Sequence, residues 1–359
     1  MKMMKSLHHK INRQRLISII IMLCLCGCIN AQVISGFVYD IATNRPIPDV
    51  CVYLDGTSIN TTTDASGKFV LTTKAVINTK LVIFHLSYHI VMIDRPFDGL
   101  PDILYLKERV NILKEVTILA DCFSRKQKME AFREHFLGTT RAGESCTIQN
   151  EEDIELFFNM QTRTLSASSD KPIIVLNSYL SYQVSFTLVD FEVEYPYVTD
   201  CKGGLKNRYV RKTFFAVGST FTDRDPNSKR IKRNREEVYK KSSNRFFKSL
   251  INNTLEKDGF KLLAQILPKF EPLPMQYFVM KDTLSQKMIS INPEYEEINP
   301  VHVVRKLAFL NADLSAIFFY TDSLLVDQYG NIDRIDKVVF TGELGKNRAG
   351  DMLPIEYEQ

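Results

Sequence analysis

The sequence has no apolar run long enough to cross a bilayer as a helix, no Cys-x-x-Cys pair, no Gly-x-Ser-x-Gly turn and only six histidines. Each absence removes a class of function. A membrane-spanning helix needs about 20 apolar residues, whereas Leu16 to Leu25 gives ten. Of the histidines beyond residue 31, His85, His89, His135 and His302, none has Glu at the third position after it. His85 and His89 have the spacing of helical metal ligands, but their run is strand-like, where i and i+4 lie about 13 Å apart. No metal site follows. Ser168-Ser-Asp-Lys171 matches Ser-x-x-Lys in letters only, because Pro172 disfavours the helix that would put Ser and Lys on one face. Cys146 and His135 could be paired as a dyad, yet both lie in segments better explained by packing. The expectation is no catalytic residue, no cofactor and no metal.

What is present begins with an export signal over residues 1–31. Lys2, Lys5, Lys10, Arg13 and Arg15 precede the uncharged core from Leu16 to Leu25, the order of a secretory leader. Two processing sites compete. Ile29-Asn-Ala31 suits cleavage before Gln32 and is preferred, since a strand starts at once and leaves little tether; Leu25-Cys-Gly-Cys28 resembles a lipoprotein box with Cys28 lipidated. The whole chain holds 46 basic and 42 acidic residues. Without the five basic residues of the leader the balance is 41 against 42, a net of −1, which gives no reason to expect a nucleic-acid partner. Four cysteines remain: Cys51, Cys122, Cys146 and Cys201. An exported compartment permits disulfides, but buried thiols are the preferred reading, with one disulfide in the C-terminal part as the alternative.

From Val33 to Thr73, short alternating apolar runs are separated by turn clusters every 8–12 residues or so, the pattern of an all-β sandwich. Asp64-Ala-Ser-Gly67 and Asn44-Arg-Pro-Ile-Pro48 are turns by composition. Val50, Val52 and Leu54 share one face of a strand; Cys51, Tyr53 and Asp55 share the other. Gly36, Val38, Asp40, Pro46, Val52, Leu54, Gly56, Thr57, Thr63, Asp64, Gly67 and Phe69 fall on the pattern of the carboxypeptidase regulatory-like domain, which this stretch closely resembles. The later run Leu81-Val-Ile-Phe-His-Leu-Ser-Tyr88 fits too, with Ser87 where the family usually has Gly. The resemblance implies a transthyretin/prealbumin-like β-sandwich over residues 32–107. It implies no catalytic residue, because the module carries none.

Residues 108–120 read as a connecting strand and linker. Leu113-x-Glu-Val116 resembles the segment after this module in large outer-membrane receptors, but the remaining chain is too short for a barrel of 22 strands at about ten residues each. Residues 121–359 read as a larger α+β, mostly antiparallel domain. Met129, Phe132 and Phe136 predict a helix over 125–137 ended by Gly138. Strands are expected at 154–158, 164–167 and 173–176. Tyr182, Val184, Phe186 and Leu188 alternate on even numbers, then Phe191, Val193 and Tyr195 on odd ones, as a β-bulge would cause. A second helix is expected over 243–257, and a turn around Gly330-Asn331 leading into Val338–Thr341. This part resembles the second domain of exported proteins of Gram-negative bacteria that carry the same sandwich. The resemblance rests on Arg133–Gly138, Cys146–Asn150, Leu165 with Pro172–Asn177, Leu180 with Tyr182, Arg235 to Phe247 and Arg348–Pro354, and implies architecture and location only.

The segment 202–248 holds 15 Lys and Arg against four Asp and Glu, with Tyr209, Phe214, Phe215 and Tyr239 interleaved. One reading is contact with an anionic surface through Arg230, Lys232, Arg233, Arg235, Lys240 and Lys241. The other is a solvated face that pairs with the acidic remainder. The expected function is that of a non-catalytic, exported protein of the periplasm or outer membrane. Its sandwich would serve as an interaction module for an envelope protein or glycan, with an anionic membrane surface as a further partner. The alternative is an envelope hydrolase whose site in residues 121–359 follows no recognisable motif.

Overall fold

The computed structural model describes residues 32–109, 122–200, 203–266, 269–272, 277–283, 285–292, 305–311 and 313–357. The expected leader over residues 1–31, residues 110–121, Cys201 and His302 lie outside them. Strand is the commonest regular structure of the described chain, arranged in five sheets. No helix among the described residues is long and apolar enough to cross a membrane.

The first unit is built from β1 (Gln32–Asp40), β2 (Cys51–Leu54), β3 (Asn60–Thr62), β4 (Lys68–Thr73), β5 (Lys80–Phe84), β6 (Val91–Asp94) and β7 (Ile103–Leu106). They form two sheets, β4-β1-β7 and β3-β2-β5-β6, with β7 parallel to β1 and the other pairs antiparallel. Val38, Phe69, Leu71 and Leu106 of one sheet and Val52, Leu54, Leu81 and Ile83 of the other share one buried cluster. The expected turns are in place. Asp64 accepts from the N–H groups of Ser66 and Lys68, and Gly67 has φ +75°. The second face of β2, by contrast, is not solvated: Tyr53 is buried, for the reason given below.

In the next unit, α1 (Arg125–Leu137) covers the expected span and begins in a capping box of Ser124 with Gln127. It packs Phe132 and Phe136 against Phe191 and Phe186 of a six-stranded sheet. That sheet comprises β8 (Cys146–Ile148), β9 (Ile154–Asn159), β10 (Thr164–Ser169), β11 (Ile173–Asn177), β12 (Tyr182–Glu194) and β13 (Lys212–Asp223). The register of β12 on β13 shifts between Leu188 and Asp190. The phase change in the apolar pattern is therefore a bulge, with Val189 turned to solvent. A short helix, α2 (Arg141–Glu144), is capped by the Thr140 side chain.

Two helices follow. The basic segment forms α3 (Lys229–Lys240), which periodicity did not predict, and α4 (Ser243–Ile251) starts where the second helix was expected, capped by the Ser242 side chain. The predicted extension of α4 to residue 257 is wrong. The chain turns at Asn252 and Asn253, the latter at φ +56°, and Leu255 reaches the core from a turn. Phe246, Phe247 and Leu250 of α4 join a separate cluster with Ile289, Ile317, Leu324 and Val326. The strands around it are β14 (Leu262–Ile266), β15 (Lys269–Pro272), β16 (Phe278–Asp282), β17 (Lys287–Ile291), β18 (Arg305–Asn311), β19 (Asp313–Phe319), β20 (Ser323–Val326) and β21 (Val338–Thr341). They pair as β15-β14-β18-β19-β21 and β16-β17-β20. The turn at Gly330 is as expected, but β21 pairs with β19 and not with β20.

The sandwich is fastened to both neighbours. Gly56 N–H donates to Ser219 O at 2.8 Å and Phe221 N–H to Thr57 O at 3.0 Å, so the chain after β2 extends along β13. Beside them Tyr53 Oη and Thr187 Oγ1 share a buried hydrogen bond of 2.9 Å, and Asp55 Oδ1 accepts from Ser219 N–H at 2.7 Å. This contact buries the second face of β2. At the other end, Asn78 N–H donates to Asp327 Oδ2 at 2.9 Å, and Asn78 Nδ2 donates to Leu325 O and Asn331 O at 3.0 Å each. The C-terminal segment ties in last: Ile355 N–H donates to Gly56 O at 2.8 Å and Ser58 N–H to Glu356 Oε1 at 2.6 Å.

Candidate functional site

With two sides of the sandwich occupied by its neighbours, the sheet β4-β1-β7 keeps one face outward. Along β1 the even positions are buried, and Val33, Ser35, Phe37 and Tyr39 point away from the core. Register places Phe37 beside Ile103, Tyr39 beside Tyr105 and Ser35 beside Val70. Strand alternation alone would make this face polar. Instead Val33, Val70, Ile103 and Tyr105 are 59%, 47%, 40% and 46% exposed, next to the half-buried Phe37 and Tyr39. The result is an apolar and aromatic stripe on a flat support.

The six basic residues singled out in the sequence do not form one surface. Arg235 is a correction. It is 4% exposed, its two terminal nitrogens each donate to Asp223 at 2.7 Å, and Nε donates to Leu180 O at 2.8 Å. Its guanidinium carbon lies 3.8 Å from the centre of the Tyr182 ring. Burial pushes the Asp223 carboxyl up, but the bonds from Arg235 and from Asp225 N–H outweigh it and hold the group below its ordinary range. Lys240 is paired with Glu236 at 2.5 Å, one turn back on α3. Lys232 and Lys241 are exposed. Arg230 and Arg233 are exposed as well, and they border a cleft of about 380 Å³ together with Arg141, Ser145, Tyr179 and Glu237. Of the interleaved aromatics, Tyr209 and Phe214 are exposed, Phe215 packs on Phe136, and Tyr239 is buried against Tyr357.

Arg141 and Tyr179 were not anticipated. They sit near a junction that gathers several segments of the second resemblance. A Cβ on Gly350 would stand 2.5 Å from Gly143 Cα and 2.4 Å from Leu137 O, so the 348–354 segment touches α1 and α2 backbone to backbone. Asn177 Nδ2 donates to Gly350 O at 2.8 Å, and Thr140 Oγ1 to Asp351 Oδ1 at 2.5 Å. Those residues build a scaffold, and the cleft opens beside it.

The chemical candidates are placed as follows. Burial pushes the Cys146 thiol up to about 12, with Asp351 adding to the shift, and burial depresses His135, whose Nε2 has no hydrogen-bond partner among the described residues. A thiol in that range is almost entirely protonated at neutral pH. Ser168 lies in β10, and Lys171 donates to Asp153 at 2.8 Å. His85 Nδ1 accepts from Ser87 N–H, and no metal-binding group of three His, Cys, Asp or Glu occurs among the described residues. Cys51 and Cys146 are free thiols, whereas Cys122 is disulfide-bonded, so the preference for thiols throughout does not hold there.

No curated protein and no solved structure matches this chain. The family model of the CarboxypepD_reg-like domain matches residues 34–118, taking in all of the sandwich after Val33. Turn chemistry and this match agree, and residues 34–118 are a carboxypeptidase regulatory-like domain.

Proposed function

We propose that this is an exported, non-catalytic protein of the cell envelope whose regulatory-like sandwich is an interaction module, held rigidly and presenting the β4-β1-β7 face to an envelope protein or glycan. The single observation behind this reading is the uncovered stripe of Val33, Val70, Ile103 and Tyr105 on a sheet whose other sides are engaged within the chain. A flat apolar and aromatic patch with a polar surround is what recognition surfaces present. We also read the sandwich as transthyretin-like, which the division of seven strands into two sheets supports. The high thiol pKa of Cys146 and the ion pair that occupies Lys171 speak for binding over hydrolysis.

The test is a photo-crosslinking residue placed at position 70 or 105 in the intact chain, with exposed Glu192 on β12 as the control site. Discrete adducts, or retention on an envelope glycan that Tyr105→Lys abolishes, are the expected result. Equal adduct patterns at all three positions, with Tyr105→Lys retained like the unaltered chain, refute the reading. The mass of the exported form separates cleavage after Ala31 from lipidation at Cys28.

A further inference from the structure

The cleft beside α3 carries an inference independent of the sandwich. Three guanidinium groups line it: Arg141 from α2, and Arg230 with Arg233, three residues apart and hence on one face of α3. Among the described residues, no carboxylate lies within 4.0 Å of any of the three, whereas five basic groups of the surrounding sheet and helices are ion-paired. Arg133 is matched to Glu151, Lys171 to Asp153, Arg211 to Glu194, Arg235 to Asp223 and Lys240 to Glu236.

The one acid in the cleft, Glu237, accepts from Tyr179 Oη at 2.6 Å. Tyr179 is held from two sides, because Asn234 Nδ2 also donates to its carbonyl at 2.8 Å. Arg141 rests 4.9 Å above the centre of the Tyr179 ring. The floor is therefore fixed, and Arg141 is oriented over it. Three cations against one engaged anion leave a net charge of about +2 in a concave site, where low-dielectric walls strengthen the field. Like charges gathered this way repel unless a ligand neutralises them.

We propose that this cleft binds the tetrahedral oxyanion of a phosphate monoester or sulfate ester carried on a body of about sugar size. Arginine forks match such oxygens in bidentate fashion, which lysine cannot do. A volume of about 380 Å³ sits at the small end of ligand pockets, roomier than a bare ion needs and too confined for a bilayer to enter. The ester is either free or displayed on a lipid headgroup, and the chemistry of recognition is the same.

The experiment is calorimetric titration of the full exported chain with glucose 6-phosphate, glucose 6-sulfate, inorganic phosphate and glucose, and co-sedimentation with vesicles containing phosphatidic acid, whose headgroup is a phosphate monoester. Glucose 6-phosphate or glucose 6-sulfate is expected to bind and glucose not to. Arg141→Gln and Arg233→Gln each weaken the ester by about ten- to a hundredfold, the loss of one charge-assisted hydrogen-bond set. Lys232→Gln and Lys241→Gln, exposed and outside the cleft lining, leave it within about twofold. Both arginine variants keep the thermal midpoint, since neither residue holds an internal ion pair. Ester binding with no vesicle binding assigns a free ligand. Vesicle binding that free ester displaces, and that Arg233→Gln alone removes, assigns a headgroup. The proposal is overturned if neither ester binds, or if all four variants weaken binding alike. It is equally overturned if inorganic phosphate binds as tightly as the esters, which would mean a bare-ion site.

Discussion

Replacing Arg235 by Ala tests whether the most basic part of the chain is structural at its centre. The side chain gives two hydrogen bonds to Asp223 and one to Leu180 O, and stacks on Tyr182. A hydrogen bond to a charged group contributes about 1.5–3 kcal/mol, and removing one partner of a buried ion pair costs about 3–5 kcal/mol. Asp223 is 32% exposed, so water recovers part of its solvation, and we place the loss near the lower end, at about 3 kcal/mol. Asp223→Ala leaves the buried guanidinium without its carboxylate and should cost about as much, with a coupling of about 2 kcal/mol in the double-mutant cycle. Arg233→Ala, two residues earlier on α3 but exposed and without an ion pair among the described residues, should stay within about 0.5 kcal/mol. Urea unfolding of the unaltered chain, the three single variants and the double variant, analysed with a common slope, measures all of these. A loss below about 1 kcal/mol for Arg235→Ala would show that the pair is a solvated surface contact and that the whole basic segment is free to meet an anionic partner.

Three further outcomes follow from the junctions. Both oxygens of Asp327 accept N–H groups, from Asn78, Tyr329 and Asn331; Asp327→Asn turns an amide donor toward one of them and should cost about 2–4 kcal/mol, read as a lowered urea midpoint and faster proteolysis between the sandwich and β20. Gly330→Ala should destabilise by more than the about 1 kcal/mol of an ordinary glycine change, because its φ is +81° and a Cβ would stand 1.9 Å from Asn244 O; unaltered unfolding would mean that the turn relaxes freely. Burial raises the Asp55 and Asp351 carboxyls above their ordinary value. Their contribution to stability is therefore complete below about pH 4 and is lost as pH rises through the folded pKa, whereas that of Asp223, held low, is present above about pH 4 and lost on further acidification. Asp55→Asn, which keeps an amide oxygen for the N–H and hydroxyl of Ser219, should flatten the first limb of a stability–pH curve, and an unchanged slope would exclude Asp55 from it.

The parts of this fold that could be read in the sequence are those whose apolar residues keep a period. Phe132 and Phe136 mark α1, and the step from Phe186 to Phe191 marks the bulge in β12, because one residue of slip moves every later side chain to the other face. Helix α3 hid because its buried positions include Asn234 and Arg235, polar residues satisfied by partners more than forty residues away or across a strand end. The stripe of α4 continued past its end in letters, since Leu255 keeps the spacing, yet Asn253 breaks the backbone. The cleft was half legible: Arg230 and Arg233 stood in a visible cluster, but Arg141 and Tyr179 reach it through the fold alone. Nothing local in either segment announces the other.

The same logic explains why the sandwich can be recognised from its motif while its use here cannot. Gly56 and Thr57 belong to the family pattern, and in this chain that corner carries the main-chain bonds to β13 and to Ile355. A residue that serves the turn in the isolated module thus also serves the attachment, and the pattern does not separate the two duties. The partners that decide the matter, Ser219, Asp327 and Ile355, lie outside the matched residues. With one corner and the Asn78 loop engaged, relative motion of the module would break buried hydrogen bonds at the corner and part-buried ones at Asn78 together, at about 1–3 kcal/mol for each group left unsatisfied. A hinge is therefore disfavoured, and whatever the outward face meets is met by a module whose orientation the rest of the chain has already set.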